Sequence, residues 1–456
     1  MSVSECLIDH ALSLRWDELP DTTREAARTF LHDSLCVGVA GRNAAHADAV
    51  FAVVRGWGEG GGEGGAAGVL GRPGVRLPAS SAAFLNAFQI HGQEYDCVHE
   101  PAVLHPMATI LAALLAEIDR GRLVDGARLL TAIVAGVDVA VTLGLAATGP
   151  LTFFRPATAG IFGCIAAIAN LRGMDRRTAR DAFGHALAFA SGTMQAHVEG
   201  KPALPIQIAN AARGALLAVD LALAGMPGVE HPIDGPFGYL TLFETGSDLG
   251  AALAMLGQGH RIAEVSWKPF PTGRAGHGGI VAVQALVAEY GLTADMLQSL
   301  EYHAPPLIHR LVGRPVRHDM APGYARLCLR WLAAVTLRRG TVGLGDFRAD
   351  LLYDPATLAI AGRVTVVADA NPDPAAFVPA RAIARLHDGR VLRADVVAQL
   401  GSPAFPLTPE QHRRKARDCL AFAGLDACDG PLFDTIATLD RAEDAAAVIR
   451  RTGIIG

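Results

Sequence analysis

The chain has 456 residues, of which 51% are hydrophobic and 19% are charged, and its net charge is −5. This composition excludes a disordered chain and a small disulfide-stapled scaffold, and the length favours two domains. The negative balance gives no electrostatic basis for binding nucleic acid. Of the 40 basic residues, three are lysines (Lys201, Lys268 and Lys415) and the other 37 are arginines. Because burial lowers the pKa of a lysine while an arginine stays charged, each lysine is a candidate functional residue.

The N-terminus lacks the basic segment and apolar run of a secretory signal, and the seven cysteines include no C-x-x-C pair. This pattern is typical of free thiols in a reducing compartment, and it predicts a cytoplasmic protein. The apolar run 129–148 is long enough to cross a bilayer. Asp138 near its centre and its small side chains favour a helix buried in a helical core, so we expect no membrane association.

The first 260 residues have helical periodicity throughout, with glycine and proline at the breaks. The predicted helices are 5–14, 22–39, 45–54, 79–91, 107–119, 126–145, 158–171, 175–190, 205–224 and 249–258. The glycine-rich run 56–65 lacks the Gly-Lys-Ser/Thr end of a phosphate-binding loop, which favours a flexible linker.

The pattern changes after about residue 262. Strands are predicted at 298–303, 363–367, 380–386 and 390–397, with a hairpin turn at His387-Asp388-Gly389 between the last two. Helices are predicted at 323–337 and 408–423, the second with Thr408 as its N-cap. The predicted fold class is mainly α, with a large all-α helical domain (1–262 and 405–456) and a smaller α+β domain (263–404).

The first unusually polar stretch holds three histidines and three carboxylates within fifteen residues. They are His91, Glu94, Asp96, His99, Glu100 and His105. A loop between buried helices is well placed to present acids and bases. The alternative is that these side chains cap and bond the helix ends. The spacing matches no common metal-ligand motif, so we predict no metal.

Two further stretches are candidate anion sites. Arg155 opens a helix of small residues, where a carboxylate would be stabilised, although this stretch taken alone favours an ordinary surface arginine. The third stretch consists of Lys201 and the segment from Lys268 through Arg274 to His277. The alternative is that the two lysines lie in these loops by chance. The chain has no G-x-G-x-x-G and no G-x-S-x-G motif. The available side chains suit cofactor-free proton transfer next to a carboxylate.

Six motifs in order resemble the MmgE/PrpD (2-methylcitrate dehydratase) family over nearly the whole chain. They are Ser80 to Asn86 with His91, Asp96 and His105-Pro106; Phe154-Arg-Pro-x-x-x-Gly; Gly200-Lys201; Asn210-Ala-Ala-Arg-Gly; Lys268-Pro-Phe-Pro-x-x-Arg274-x-x-His277; and Gly401-Ser-Pro-x-x-Pro-Leu-Thr. Lys415 follows the last motif, and a packing or ion-pair role is predicted for it.

The resemblance implies a large helical domain, an α+β lid and a homodimer. It implies a small di- or tricarboxylate as substrate, with no organic cofactor. Family activities include dehydration of 2-methylcitrate, decarboxylation of cis-aconitate and epimerisation of iminodisuccinate. The residues predicted to be catalytic are Asp96, His105, Lys201 and Lys268. Those predicted to bind substrate are His91, Arg155, Arg274 and His277.

The sequence departs from the family pattern at several positions. The family's D-x-D-D is Glu94-Tyr-Asp96-Cys97 here, and Arg155 replaces a usual active-site histidine. Gly273 stands where cis-aconitate decarboxylases have histidine, which makes that activity less expected. Arginine is no general base at neutral pH, so these changes favour a different substrate or reaction.

The leading hypothesis is a cofactor-independent hydro-lyase that abstracts a proton next to a carboxylate. The alternatives are an epimerase, a decarboxylase of an aconitate-like acid, and a catalytically silent acid-binding protein. Replacing His105 or Lys268 by alanine is expected to abolish turnover without unfolding. The main candidates are expected to line one cleft between the domains: Asp96, His105, Arg155, Lys201 and Lys268.

Overall fold

The computed structural model describes residues 2–57, 66–120, 123–373 and 375–456. The fold is mainly α, as the sequence predicts. The helices before residue 260 are α1 Val3–Ser13, α2 Asp21–Ala40, α3 Ala47–Gly56, α4 Ala79–His91, α5 Pro106–Ile118, α6 Gly126–Ala146, α7 Arg155–Thr158, α8 Gly160–Arg172, α9 Arg176–Phe189, α10 Gln195–Glu199, α11 Ala203–Leu223, α12 Tyr239–Phe243 and α13 Leu249–Ala254.

The later helices are α14 His277–Tyr290, α15 Pro306–Val312, α16 Pro322–Ala325, α17 Leu329–Arg339, α18 Ala349–Leu352, α19 Pro355–Ala361, α20 Pro409–Phe422, α21 Asp429–Ala437 and α22 Ala445–Arg451. The strands are β1 Ala67–Gly68, β2 Arg76–Leu77, β3 Leu297–Ala304, β4 Val364–Ala368, β5 Ala380–Leu386 and β6 Val391–Val396.

Buried apolar side chains form two hydrophobic clusters. The first runs from Leu7 to Val265 and also takes residues from α20, α21 and α22. The second lies between Phe270 and Val396, where α14 and α17 pack with the sheet. That sheet has the order β4-β3-β5-β6; β3 and β4 are parallel, and the other neighbours are antiparallel. The segment that includes Lys268 therefore joins the two clusters.

Two helices, α6 and α11, are long and apolar enough to cross a membrane by length and composition alone. In α6, 94% of the most apolar window is buried inside the molecule, and in α11 the buried share is 56%. The prediction of a buried core helix at Asp138 is therefore confirmed, since helices rather than lipid cover α6.

Most sequence-predicted elements lie within one to three residues of those observed. The helix 79–91 and the strand 380–386 coincide with α4 and β5, and Thr408 caps α20 with Gln411 in a capping box. The predicted helix 323–337 is wrong as one element. It is interrupted between α16 and α17, where the Arg326 side chain donates to backbone carbonyls elsewhere. Most of the predicted linker 56–65 lies outside the described residues.

Candidate active site

The candidate site is built on the loop that leaves α4 and enters α5. His91 is the last residue of α4, and His105 precedes Pro106, the first residue of α5. Within this loop Glu94 has a positive φ of 50°, which is uncommon for a residue with a side chain. The Nζ of Lys268 bonds both the backbone oxygen of Glu94, at 3.2 Å, and its carboxylate, at 2.9 Å. The lysine therefore holds Glu94 in this conformation.

Asp96 lies at the centre of the site and accepts from two histidines. Its Oδ2 is 3.0 Å from Nδ1 of His91 and 3.1 Å from Nδ1 of His105. The Asp96 side chain is fully buried, whereas 14% of the His105 side chain is exposed. Since the Nδ1 proton of His105 is directed to the carboxylate, its Nε2 is left as an acceptor. Asp96 thus fixes the tautomer of His105, as a carboxylate does for a catalytic histidine.

Lys268 is fully buried beside two carboxylates. Its Nζ is 2.9 Å from Glu94 and 3.9 Å from Oδ1 of Asp96. Two cavities lie beside this group, one lined by His105 and the other by Lys201, and Lys268 lines neither of them. The predicted catalytic contact between this lysine and substrate is therefore not supported by its position. Its ammonium instead neutralises an acidic group that faces a cavity.

The two histidines on Asp96 have opposite pKa shifts. Burial lowers the pKa of His105, and Lys268 adds to this effect against the raising effect of Asp96. For His91 burial also lowers the pKa, but Asp96 and Glu94 outweigh it and raise the value. Burial would raise the pKa of Glu94, yet Lys268 and the histidines lower it to about 2. His105 is therefore the neutral ring of the pair, and it suits a general base.

Two cavities meet at Glu94 and Leu327. The first, the His105 cavity, has a volume of about 60 Å³ and is lined by His105, Arg155, His197 and Arg274, with apolar residues around them. The second, the Lys201 cavity, has a volume of about 60 Å³ and is lined by His91, Lys201 and Arg326, among other residues. The predicted residues are thus divided between two adjacent cavities, with Asp96 and Lys268 behind their common wall.

Lys201 reaches its cavity because the chain turns at Gly200. This glycine has a φ of 64°, and a Cβ there would lie 2.5 Å from the Cα of Tyr324 in α16. Lys201 is exposed, and its ammonium has no ion-pair partner among the described residues. It is therefore available to a ligand carboxylate.

Three predicted substrate-binding residues are already occupied by protein groups. The guanidinium of Arg155 forms two bonds of 2.9 Å to Glu244, and Arg274 pairs with Glu100 at 2.7 Å. His277 lies behind Arg274, at 3.2 Å from it, and lines neither cavity. Because each arginine forms a nearly neutral pair with its carboxylate, and because His277 lines neither cavity, these contacts do not support the prediction that these residues anchor substrate.

The sequence reasoning missed two residues that line the cavities. His197 lines the His105 cavity, and burial with Arg314 lowers its pKa to about 4. Arg326 donates to the backbone oxygens of Gln93 and Pro271 but has no carboxylate within ion-pair distance among the described residues. The only signal for His197 was its closeness to Lys201 in sequence. No local sequence pattern indicated a role for Arg326, because its hydrogen-bond partners Gln93 and Pro271 are 233 and 55 residues away in the chain.

The donors His91, Asp96 and His105 are close enough together to hold a metal ion. The nearby Lys268 ammonium opposes such binding, since it lies 3.9 Å from Asp96. The two carboxylates also raise the pKa of His91, which disfavours the neutral imidazole that a metal ligand must be. The residues present therefore fit proton transfer better than metal binding.

The fold and the site together define a class of mainly helical proteins in which a buried His–Asp–His group lies beside two cation-lined cavities. Residues 5–252 match the MmgE/PrpD N-terminal domain, and residues 270–427 match the MmgE/PrpD C-terminal domain. The chain belongs to the MmgE/PrpD family, as the motifs predict.

Two curated relatives are both named cis-aconitate decarboxylase. The mouse protein is 25% identical over 400 residues, which cover 82% of this chain and 78% of the mouse protein. The human protein is 27% identical over 314 residues, which cover 65% of this chain and 63% of the human protein. These names favour a decarboxylase over the predicted hydro-lyase.

Proposed function

We propose that this chain is a cofactor-independent lyase of a small di- or tricarboxylic acid, with His105 as the base that removes a proton next to a carboxylate. The observation that carries the proposal is the contact of Asp96 Oδ2 with Nδ1 of His105 at 3.1 Å, at the edge of a cavity. It leaves Nε2 as the acceptor for a substrate proton. Among lyase reactions this favours dehydration, which begins with a neutral base.

The substrate carboxylates bind the cations that protein groups leave unneutralised. Lys201 and Arg326 meet this requirement in the Lys201 cavity. Burial lowers the pKa of Arg326 to about 9, so this side chain is still charged at neutral pH. A cation beside the reacting carboxylate stabilises the negative charge that develops when the proton leaves.

The second candidate reaction is decarboxylation of an aconitate-like acid, because both curated relatives carry that name. Gly273 bears on it, since this glycine lines the His105 cavity. A Cβ at Gly273 would lie 2.5 Å from Cδ2 of Leu327, so a larger residue there requires Leu327 to move. Glycine at this position, in place of the histidine expected for a cis-aconitate decarboxylase, weighs against that reaction.

We further propose that residues 263–404 act as a lid over the site on residues 1–262 and 405–456. In support, the His105 cavity takes lining residues from both hydrophobic clusters, for example Phe154 from the first and Leu311 from the second. The homodimer and the cytoplasmic location stay predictions, which size-exclusion chromatography with light scattering and cell fractionation would test.

The deciding experiment incubates the protein with a panel of di- and tricarboxylates in deuterated water and analyses them by mass spectrometry. Loss of water from one acid supports the hydro-lyase, and loss of carbon dioxide supports the decarboxylase. Deuterium in recovered acid without either loss points to an epimerase. His105→Ala serves as the matched control, since it must abolish the change. Turnover of no acid in the panel, with tight binding of one, would support a silent acid-binding protein.

A further inference from the structure

A second His–Asp–His group lies away from both cavities described above. Asp138, in the middle of α6, has its Oδ2 at 2.9 Å from Nε2 of His10 and 2.8 Å from Nδ1 of His260. The three side chains come from α1, α6 and the segment after α13. None of them lines the His105 or Lys201 cavity.

The environment of this group suits a cation. Only 2% of the Asp138 side chain is exposed, against 10% for His10 and 12% for His260, so solvent reaches the histidines. Arg261 gives Asp138 only its backbone N–H, at 2.7 Å. Its guanidinium is bound to Glu264 and to two carbonyls. No lysine is paired with Asp138 among the described residues, unlike Asp96 at the candidate active site.

The ordinary explanation is that two N–H groups satisfy a buried carboxylate. The two rings, however, direct their nitrogens to the same oxygen, and the three ligand atoms lie within 4.8 Å of one another. Zinc binds imidazole nitrogen and carboxylate oxygen at about 2.0–2.2 Å, so a ligand separation of about 3.4 Å is needed for a tetrahedral site. The observed O···N distances of 2.8 and 2.9 Å require the atoms to move apart by only about half an ångström.

We propose that His10, Asp138 and His260 form a structural site for a divalent transition-metal ion, for which zinc is the test ion. Each histidine ligates as a neutral imidazole, so the proton on the nitrogen that faces Asp138 moves by way of solvent to the other nitrogen of the same ring, and water completes the coordination. It joins α1, α6 and a segment that begins eight residues before Lys268. The site stabilises the fold and takes no part in the chemistry at His105.

The test compares zinc binding by the full chain and by variants, after removal of metal with a chelator. His260→Gln and His10→Gln keep an amide donor for Asp138 but remove a metal ligand. His105→Gln is the matched control, because it removes a histidine from the other His–Asp–His group. Circular dichroism in chelator checks that each variant is folded. Zinc is measured by mass spectrometry of the dialysed protein and by calorimetric titration.

The proposal predicts about one zinc per chain in the wild type and in His105→Gln, with affinity lowered more than about tenfold in His260→Gln and His10→Gln. Zinc should also raise the Tm of the wild type but not that of His260→Gln. The proposal is overturned if the wild type takes up no zinc, or if both substitutions leave the affinity unchanged. Loss of zinc in His105→Gln alone would also overturn it, since the ion would then lie at the candidate active site.

Discussion

The two His–Asp–His groups of this protein have the same residue types and similar distances but different surroundings. In each, one buried aspartate oxygen receives two imidazole nitrogens, at 3.0 and 3.1 Å on Asp96 and at 2.9 and 2.8 Å on Asp138. Behind Asp96 lies the ammonium of Lys268, and in front of it lies a cavity. Asp138 has neither.

This difference shows that a motif of side chains does not determine its chemistry. Lys268 disfavours a metal ion at Asp96 and helps to keep His105 neutral, which prepares that ring to accept a proton. At Asp138 the described residues place no ammonium or guanidinium on the carboxylate, which is held by two imidazoles and the backbone N–H of Arg261, so an added cation is favoured there. The neighbouring charge and the access to a cavity separate the two groups.

The largest expected effect is on turnover. His105→Ala should lower kcat/KM by about a thousandfold, because general acid–base catalysis contributes about 10²–10⁴. The Tm should change little, since the ring is at the edge of a cavity. Steady-state kinetics on the acid identified by mass spectrometry measures this effect. The matched change His260→Ala should leave kcat/KM within about twofold of the wild type. Equal loss in both variants would show that the two groups do not differ in function.

The next largest effect concerns the lysine that distinguishes the groups. Lys268→Met leaves the Glu94 carboxylate buried without its partner, which should lower the free energy of unfolding by about 3–5 kcal/mol. Denaturant unfolding measures this change. The same measurement tests the sequence-based expectation that Lys268 can be replaced without unfolding the protein.

Lys201→Met is the matched control for Lys268→Met, because that lysine is exposed and unpaired in the described part of the chain. Its effect on unfolding should stay within about 0.5 kcal/mol. The role assigned to Lys268 would be wrong if both substitutions cost the same. Adding Glu94→Gln to Lys268→Met should recover part of the lost stability, since the unpaired charge is then gone.

A smaller effect is expected in the pH dependence of activity. His105 must be neutral to act as a base, so kcat/KM should rise with pH as this ring loses its proton. Because burial lowers the pKa of His105, the midpoint of the rise should lie at a lower pH than the pKa of an ordinary histidine. A pH profile of kcat/KM measures this. A rise centred above pH 7 would instead point to a base with a raised pKa.

The smallest effect is expected at the second group. Without metal, His260→Gln should lower the free energy of unfolding by less than about 1.5 kcal/mol, because the amide keeps a donor for Asp138. Thermal unfolding in chelator measures it. A loss comparable to that of Lys268→Met would mean that the His260 imidazole itself is essential to the fold.

Local sequence patterns were sufficient for most elements and for part of the site. Periodicity placed α4 and β5, and the Thr408 motif placed the start of α20, because caps and amphipathic faces depend on residues close in the chain. The family motifs also singled out His91, Asp96 and His105, which the structure brings together. Lys415 has the ion-pair role expected for it, with Asp33 at 2.8 Å.

The charge state of the site was decided only by the tertiary structure. Glu244 and Glu100 neutralise Arg155 and Arg274 from distances of 89 and 174 residues along the chain, which no local pattern reports. The break between α16 and α17 has the same origin, since Arg326 turns to the backbone of residues far away. The sequence determined which charged side chains exist and on which elements they lie. Folding decided which of them are paired and which are left for a ligand, because ion pairs form between neighbours in space.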